Sequence, residues 1–281
     1  MPPEQFVDLH AHTTASDGSL RPAELVRKAA AEGLAALAVT DHDTIDGLAE
    51  ARDEARKAGI ELVNGMELSV KWDEGTFHLL GYLFEEGPGL AEGLAKLQAL
   101  RHDRNLRMIA KLNEIGIPMT WAEVAAESGG GQVGRPHMAK ALVKRGHAAS
   151  IHDAFEKLLR RGRPAYVIVD RLEPSDAFAL VRNAGGVPVV AHPYQLRLKE
   201  EELEARVAAW EREGLGGIEV QHSSHDAARQ SFLEGLARRH GLAATGGSDF
   251  HGDTKPDACL GHAGGGARIP LARLDDLKRR K

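Results

Sequence analysis

Fourteen histidines stand in this chain of 281 residues, and two of them, His10 and His12, lie two apart in the stretch FVDLHAHTTASD. On a β-strand, side chains two apart leave the same face, so these imidazoles form a bidentate clamp of the kind that holds zinc, manganese or iron. Asp17 follows past the strand end and offers a hard oxygen to a neighbouring ion. A His-x-His pair alone is equally well a pair of hydrogen-bonded strand histidines. What separates the two readings is recurrence at the ends of later apolar runs: His42 in TDHD, Glu67, His78, His192 in AHP, and Asp249 with His251 in GGSDFH. Any one of these is more often a structural, hydrogen-bonded residue. Six strand ends carrying such residues point to one metal centre. Nine ligands are too many for one ion and suit three, with a carboxylate such as Glu67 bridging two of them through its two oxygens.

Charge then suggests the reaction. Three divalent ions bring six positive charges and Asp17, Glu67 and Asp249 return three, so a surplus of about three calls for an anion. A hydroxide with a phosphate dianion would neutralise it, whereas a neutral amide or a nucleobase would not. Several ions together can lower the pKa of a bound water towards about 7, align phosphorus for in-line attack and stabilise the leaving oxygen.

Elements of alternating type must position these residues. Phe6 to His12 reads as a strand, followed by a helix with apolar positions Leu25, Val26, Ala29 and Ala30, capped by Ser19 or its neighbours with Pro22 in its first turn. Leu34 to Val39 is a strand, Ile45 to Ala58 a helix, Ile60 to Val63 a strand, and Thr76 to Phe84 a further strand containing His78. This order argues for parallel strands with covering helices. Beyond the insertion described next, Tyr166 to Val169 is expected as a strand, Ser175 to Asn183 as a helix, Val187 to Ala191 as a strand, and Glu200 to Glu213 as a helix. A strand at Gly217 to Val220, a helix at Asp226 to His240, a strand at Ala243 to Thr245 and a short charged helix from Leu271 complete the chain. In a parallel barrel the strand carboxyl ends meet at one mouth, so residues distant in sequence converge there.

From about Leu90 strand signals stop. Helical patterns cover Leu90 to Ile115, Trp121 to Glu127, Pro136 to Lys144 and Ile151 to Arg160. Residues 98–163 carry 12 Lys and Arg against 6 Asp and Glu, although the whole chain has a formal net charge of -5. Residues 98–163 are therefore expected to be an inserted helical cap on a barrel made by 1–97 and 164–281. For any single residue such charge is usually a solvated helix face. A basic cap over a metal site would also attract an anionic substrate.

Composition narrows the class. Charged residues make up 27% of the chain, which implies no bulk pull towards nucleic acid or anionic membrane. No apolar run approaches the roughly 18 residues of a membrane helix, and the amino terminus lacks the pattern of a secretion signal. With one cysteine, Cys259, an internal disulfide is excluded and a cytoplasmic location is expected. Cys259 lies in a Gly-rich loop and reads as a free, incidental thiol.

At the residues quoted above the chain resembles the polymerase and histidinol phosphatase (PHP) superfamily. The match comprises Asp8-Leu9-His10-Ala11-His12 with Asp17, Thr40-Asp41-His42-Asp43, Glu67, His78, Ala191-His192-Pro193 and Gly247-Ser248-Asp249-Phe250-His251. The resemblance implies an α/β fold, a distorted (β/α)7 barrel with an inserted small helical domain, and three divalent ions, foremost manganese with iron or zinc as alternatives. It also implies a partition: His10, His12, Glu67 and Asp249 on the first ion; Glu67, His78 and His192 on the second; Asp17, His42 and His251 on the third. Gly134-Arg135-Pro136-His137, with Arg163-Pro164-Ala165-Tyr166-Val167, resembles the subgroup acting on nucleoside 3',5'-bisphosphates and short RNA ends. In that subgroup Arg135 and His137 would hold substrate phosphate; the alternative is an ordinary helix start.

The expected activity is phosphate-ester hydrolysis on nucleotides by a metal-bridging hydroxide, as a 3',5'-bisphosphate 3'-phosphatase or a 5'-3' exonuclease on short RNA. His222 and His225, in the QHSSH loop, are candidates to line the pocket or protonate a leaving oxygen, or are structural. Asp41 and Asp43 are expected to orient imidazoles from outside. The expected partner is a phosphorylated nucleotide or short oligonucleotide, with no membrane and no obligate protein partner. Histidinol-phosphate phosphatase is an alternative. A non-catalytic, metal-stabilised module binding RNA ends or a polymerase is an alternative of another class. An amidohydrolase commonly needs one or two ions and is disfavoured by the three-ion count.

Overall fold

The computed structural model describes residues 4–168 and 171–281, and its seven strands form one sheet in chain order. The first half runs β1 (Phe6–Ala11), α1 (Pro22–Ala31), β2 (Leu34–Val39), α2 (Leu48–Ala58), β3 (Glu61–Val70) and β4 (Phe77–Tyr82). Four helices follow without a strand: α3 (Pro88–Glu114), α4 (Trp121–Ala126), α5 (Arg135–Lys144) and α6 (Ile151–Ala154), the last continued by a π-helical turn over Phe155–Leu159. The chain then returns through α7 (Pro174–Asn183), β5 (Val187–Val190), α8 (Glu200–Glu213), β6 (Gly217–Gln221), α9 (Ala227–Arg239), β7 (Ala243–Gly246) and α10 (Ala272–Lys278).

Strand periodicity sorts the core into two faces. In β2, Leu37 and Val39 join a cluster formed with the apolar faces of α1, α2, α7, α8 and α9, while the smaller Ala36 and Ala38 join Val7, Leu80, Tyr82, Val189 and the α10 residues Leu274 and Leu277. Each buried Leu or Val side chain contributes roughly 1.5–3 kcal/mol relative to exposure, so this two-sided burial is what makes the strands hold their register. Past the ends of the sheet, Asp249 N–H donates to His10 O (2.8 Å) and His12 N–H donates to Phe250 O (2.9 Å), which joins the segment after β7 to β1.

A separate apolar cluster lies in the four-helix segment, with Met108, Ile109 and Leu112 of α3 packed with Val124, Met138, Leu142, Leu158 and Leu159. The same long helix places Leu90, Leu94 and Leu97 in the sheet's own core, so α3 belongs to both clusters. The segment touches the strand ends at two places. Gln132 N–H donates to Ala15 O (2.7 Å), beside Gly131, where a Cβ would come within 2.0 Å of Thr14 O. Gln98 Nε2 donates to Asp43 O (3.1 Å), and Arg101 bonds the Asp43 carboxylate and Ser69 Oγ.

Several expectations are corrected. Strand β4 runs antiparallel to both β3 and β5, because only the turn at 71–76 separates β3 from β4 and no crossover helix intervenes. Its first residues, not its last, therefore lie at the shared mouth, and His78 faces Ser69 near the end of β3. Residues 166–168 of the expected strand Tyr166 to Val169 are irregular, while Val169 lies outside the described residues. Helix α2 begins at Leu48 rather than Ile45. Of the candidates to cap α1, the neighbour Arg21 and not Ser19 holds the N-cap position: Arg21 N–H is taken by Glu24 Oε2 (2.9 Å), and Ser19 Oγ accepts from Asp253 N. Among the described residues no helix is long and apolar enough to cross a membrane.

Candidate metal centre

Alternation along β1 aims Asp8, His10 and His12 one way, all of them buried. Asp8 anchors the strand by accepting from His10 N, Ser248 N, Ser248 Oγ (2.5 Å) and Gly261 N (2.7 Å). This brings the β7 loop so close to β1 that a Cβ on Gly247 would lie 2.1 Å from His10 Cβ. Glycine is therefore required there. Asp43, His192 and Asp249 adopt positive φ values of 53°, 27° and 55°. Such angles are costly for residues with a side chain, and they sit where loops must turn sharply at the mouth.

The nine expected ligands converge. Glu67 divides its oxygens between two groups: Oε2 lies 3.2 Å from His12 Nε2, 3.0 Å from His42 Nδ1 and 3.5 Å from His10 Nε2. Its Oε1 lies 2.8 Å from His78 Nδ1 and 3.1 Å from His192 Nε2. Asp249 turns Oδ1 to His10 Nε2 (3.5 Å), His12 Nε2 (3.3 Å) and His251 Nδ1 (3.4 Å). Asp17 reaches His251 Nε2 (3.3 Å), His42 Nε2 (3.7 Å) and His12 Nδ1 (3.8 Å). Among the described residues, donor atoms fall into four sets compatible with an ion: His12, Asp17, His42 and His251; His10, His12 and Glu67; His42, Glu67 and His78; and His10, His222 and Asp249, so His222, expected to line the pocket or protonate a leaving oxygen, stands in a candidate metal set while the expected ligand His192 stands in none.

These residues fit divalent cations for two physical reasons. Among the described residues, His10 Nε2, both His12 nitrogens, His42 Nδ1, Glu67 Oε2 and His78 Nδ1 are buried without a hydrogen-bond partner, which proteins rarely tolerate. The carboxylates also demand positive charge. Burial would raise the Glu67 pKa, yet His42, His78 and His10 hold it well below the usual range, and the same opposition of burial and nearby charges lowers Asp17 and Asp249. In return, burial would lower His42, but Glu67 and Asp17 push it up to about 9. Cations placed among these groups would take over the role of those protons.

Hydrogen bonds on the far side of the rings set their tautomers. His10 Nδ1–H donates to Glu219 Oε1 (2.9 Å), and His251 Nδ1–H donates to the Asp249 carbonyl (2.9 Å), so each leaves an Nε2 lone pair facing inward. Glu219 is wholly buried and its other oxygen accepts from His192 N (2.7 Å), so one carboxylate braces two expected ligands. Burial opposes its ionisation, but His10 and His222 hold its pKa down at about 2. Sequence reasoning gave Glu219 no role. A carboxylate between Ile218 and Val220, inside the buried strand Gly217–Gln221, was the available signal. Asp41 and Asp43 bond elsewhere than expected: Asp41 accepts from Thr13 N, Thr13 Oγ1 and Ser16 Oγ, and Asp43 from Ser69 N and Arg101. They fix the two loops on which Asp17 and His42 ride.

His222 enters the centre directly, with Nε2 at 3.3 Å from Asp249 Oδ2, where Lys255 Nζ also lies at 2.5 Å. Its Nδ1 accepts the Ser224 N–H (3.0 Å), so in the neutral ring Nε2 carries the proton. His225 stands one layer back, its ring 5.1 Å from that of His222 and its Nδ1–H donating to Val220 O (2.9 Å). In α5, His137 Nδ1 accepts from Gly134 N (2.9 Å), which places the neutral ring's proton on Nε2; burial, opposed by Asp17, lowers its pKa to about 4. Arg135, two residues earlier, lies over the Phe155 ring and beside Arg171. Cys259 is exposed and free.

A family model described as "PHP domain" matches residues 8–187. The chain is 36% identical over 263 residues to a 3',5'-nucleoside bisphosphate phosphatase of Chromobacterium violaceum, covering 91% of this chain and 90% of that protein. It is 34% identical to a 5'-3' exoribonuclease of Haemophilus influenzae, covering 87% and 89% of the two chains. Among solved structures, one described as a metal-dependent phosphoesterase from Bifidobacterium adolescentis superposes with a TM-score of 0.86 at 33% identity, covering 100% of this chain and 98% of the other.

Proposed function

The chain belongs to the PHP domain family, and from that premise we propose that it is a metal-dependent phosphoesterase that hydrolyses phosphate esters of nucleotides. Its substrates would be nucleoside 3',5'-bisphosphates, losing the 3'-phosphate, or short 5'-phosphorylated RNA. The observation that carries this reading is Glu67, whose two oxygens face two separate groups of imidazoles, and among the described residues His10 Nε2, His12 Nε2, His42 Nδ1 and His78 Nδ1 of these are buried without a hydrogen-bond partner. A bridging carboxylate flanked in this way suits adjacent ions, and the proposal is three, foremost manganese, held by His10, His12, Asp17, His42, Glu67, His78, His192, Asp249 and His251. Divalent ions there would supply Lewis-acid charge and an activated water.

The protein's own groups do the rest. Arg135 and His137 Nε2–H stand on the first turn of α5 and would hold phosphate oxygens, adding positive charge as the phosphoryl group becomes more anionic. His222 Nε2–H faces Asp249 Oδ2 and can pass its proton to a leaving oxygen that approaches from the mouth. His225 holds its proton at Nδ1 against Val220 O and is read as structural. The separate apolar cluster supports treating 98–163 as an inserted helical unit closing over the mouth. A cytoplasmic site of action is part of the same reading, and the single exposed thiol suits it.

A panel of a 3',5'-bisphosphate nucleotide, a short 5'-phosphorylated RNA and histidinol phosphate, run with metal analysis of the purified protein, tests the proposal. Turnover of either nucleotide substrate well above that of histidinol phosphate is expected. Preference for histidinol phosphate would replace this substrate class. RNA binding without hydrolysis after reconstitution with manganese, iron or zinc would replace the activity with a binding function.

A further inference from the structure

Among the described residues, three of the four donor sets at the mouth draw only on expected ligands, while the fourth joins His222 to His10 and Asp249. That fourth set already holds a cation. Lys255 Nζ lies 2.5 Å from Asp249 Oδ2, the oxygen that His222 Nε2 also faces at 3.3 Å. An ammonium is a compact unit charge with three donors, so against a carboxylate it can stand where a metal ion would. A divalent ion between Asp249 Oδ2 and His222 would meet that charge at close range, and like charges repel strongly in a site partly withdrawn from water. The other oxygen, Oδ1, faces His10, His12 and His251 and stays open to the expected ion.

The chain after His251 delivers the ammonium to this place. It makes a 3-10 turn over Gly252–Thr254, and Lys255 N–H donates to Gly252 O (3.1 Å). Thr254 Oγ1 donates to His251 O (3.0 Å) and lies 3.2 Å from Asp17 O, while Asp253 N–H donates to Ser19 Oγ (3.0 Å). These bonds fasten the turn to the loop after β1. Gly252 has a φ of 64° and a Cβ on it would lie 2.0 Å from Ser19 Oγ, so the close fit requires glycine. Lys255 itself is half-buried, with its partner Asp249 buried beneath it.

The state of His222 depends on what occupies this set. Its Nδ1 accepts the Ser224 N–H (3.0 Å), which leaves the neutral ring's proton on Nε2, facing Asp249. A metal ion binds imidazole through a lone pair, so an ion here would drive that proton to Nδ1 and break the bond from Ser224. We propose that Lys255 is the resident cation of the fourth set: its ammonium excludes a divalent ion from His10, His222 and Asp249, and so keeps His222 a proton donor instead of a ligand. The inference rests on the reading of the mouth as the metal centre of a phosphoesterase. It makes Lys255 a positioning residue, acting through Asp249 and His222.

Equilibrium dialysis against manganese, read by metal analysis, tests this without turnover. Lys255→Met should take up about one more ion per chain than the wild type at the same free manganese, and Lys255→Arg, which keeps the charge, should not. His222→Ala alone should leave the wild-type count unchanged, and combined with Lys255→Met it should restore that count. A lysine that only fastened its loop would lower Tm and leave every count alone. In turnover, excess manganese should inhibit Lys255→Met at concentrations about tenfold or more below those that inhibit the wild type. Equal counts in the wild type and Lys255→Met, or a wild-type count lowered by His222→Ala, overturn the proposal. A wild type that takes up no ion overturns the metal centre and this inference with it. Ion counts as expected, with no phosphoester hydrolysed, overturn the proposed activity and leave the role of Lys255 standing.

Discussion

The mouth of the sheet gathers three carboxylates and seven imidazoles, His222 among them, while the neighbouring cavity is lined by four arginines, Arg104, Arg135, Arg161 and Arg171, none of which forms an ion pair with a carboxylate among the described residues. The two regions also differ in how they are built. At the mouth the expected metal ligands stand on strands or on the loops that follow them, and buried hydrogen bonds such as those of Asp8, Asp41 and Glu219 brace these from behind. The cavity is walled by α3, the first turn of α5 and the return segment near Arg171, and its arginines are braced by little beyond packing. A rigid anionic centre that wants cations beside a less braced cationic cavity that wants an anion is the arrangement expected where a charged substrate spans both.

The largest effects should break the mouth. Glu67→Gln removes the shared charge between two groups of imidazoles, and His192→Ala removes one inward nitrogen. Either is expected to lower kcat by about a thousandfold or more with the circular dichroism spectrum unchanged, and Glu67→Gln should lower the ion content seen by metal analysis. Near-normal turnover in both would remove the mouth from the chemistry. An intermediate effect should follow from bracing: Glu219→Gln keeps the shape but weakens the partner of His10 Nδ1. Metal affinity measured by competition with a chelator should fall about 10- to 100-fold. An unchanged affinity would make Glu219 a mere packing residue.

How much of each region could be read from the chain follows the same division. Strand parity foretells that His10 and His12 share a face, and short apolar runs ending in His, Asp or Glu place His42, His192, Asp249 and His251 at one end. Those inferences need only local geometry. The reversal of β4 was illegible because a strand reads alike in both directions, and only the short turn at 71–76 betrays it. The segment 166–168 carries β-branched and aromatic residues, but it packs against the helical cluster through Val167, next to Ala165 of the same cluster, instead of joining the sheet. Arg104 and Arg171 were illegible for a different reason. Whether helix positions on α3, α5 and a loop share one wall depends on how whole elements dock, and spacing along the chain carries no such angle. Asp41 and Asp43 show the limit of adjacency: flanking a ligand in sequence, they brace loops rather than rings.

The smallest effect concerns the excess positive charge of 98–163. Much of that charge is already answered at the surface, where Arg145 pairs with Glu123, Lys144 with Glu127, Lys157 with Asp153 and Arg160 with Glu156. Exposed pairs of this kind are screened by water and salt and contribute little. Among the described residues, Arg104, Lys111, Arg135, Lys140 and Arg161 of the segment have no carboxylate partner, and Arg104, Arg135 and Arg161 of these line the cavity, so only part of the asymmetry lies there. Lys144→Ala removes the same formal charge as Arg171→Gln, from the outer face of α5. It should leave Tm within error and the bisphosphate-to-monophosphate ratio of kcat/KM unchanged, whereas Arg171→Gln collapses that ratio. If Lys144→Ala lowered the ratio as far as Arg171→Gln does, selection would come from the net charge of the whole helical segment acting at a distance. The cavity would then have no special part in it.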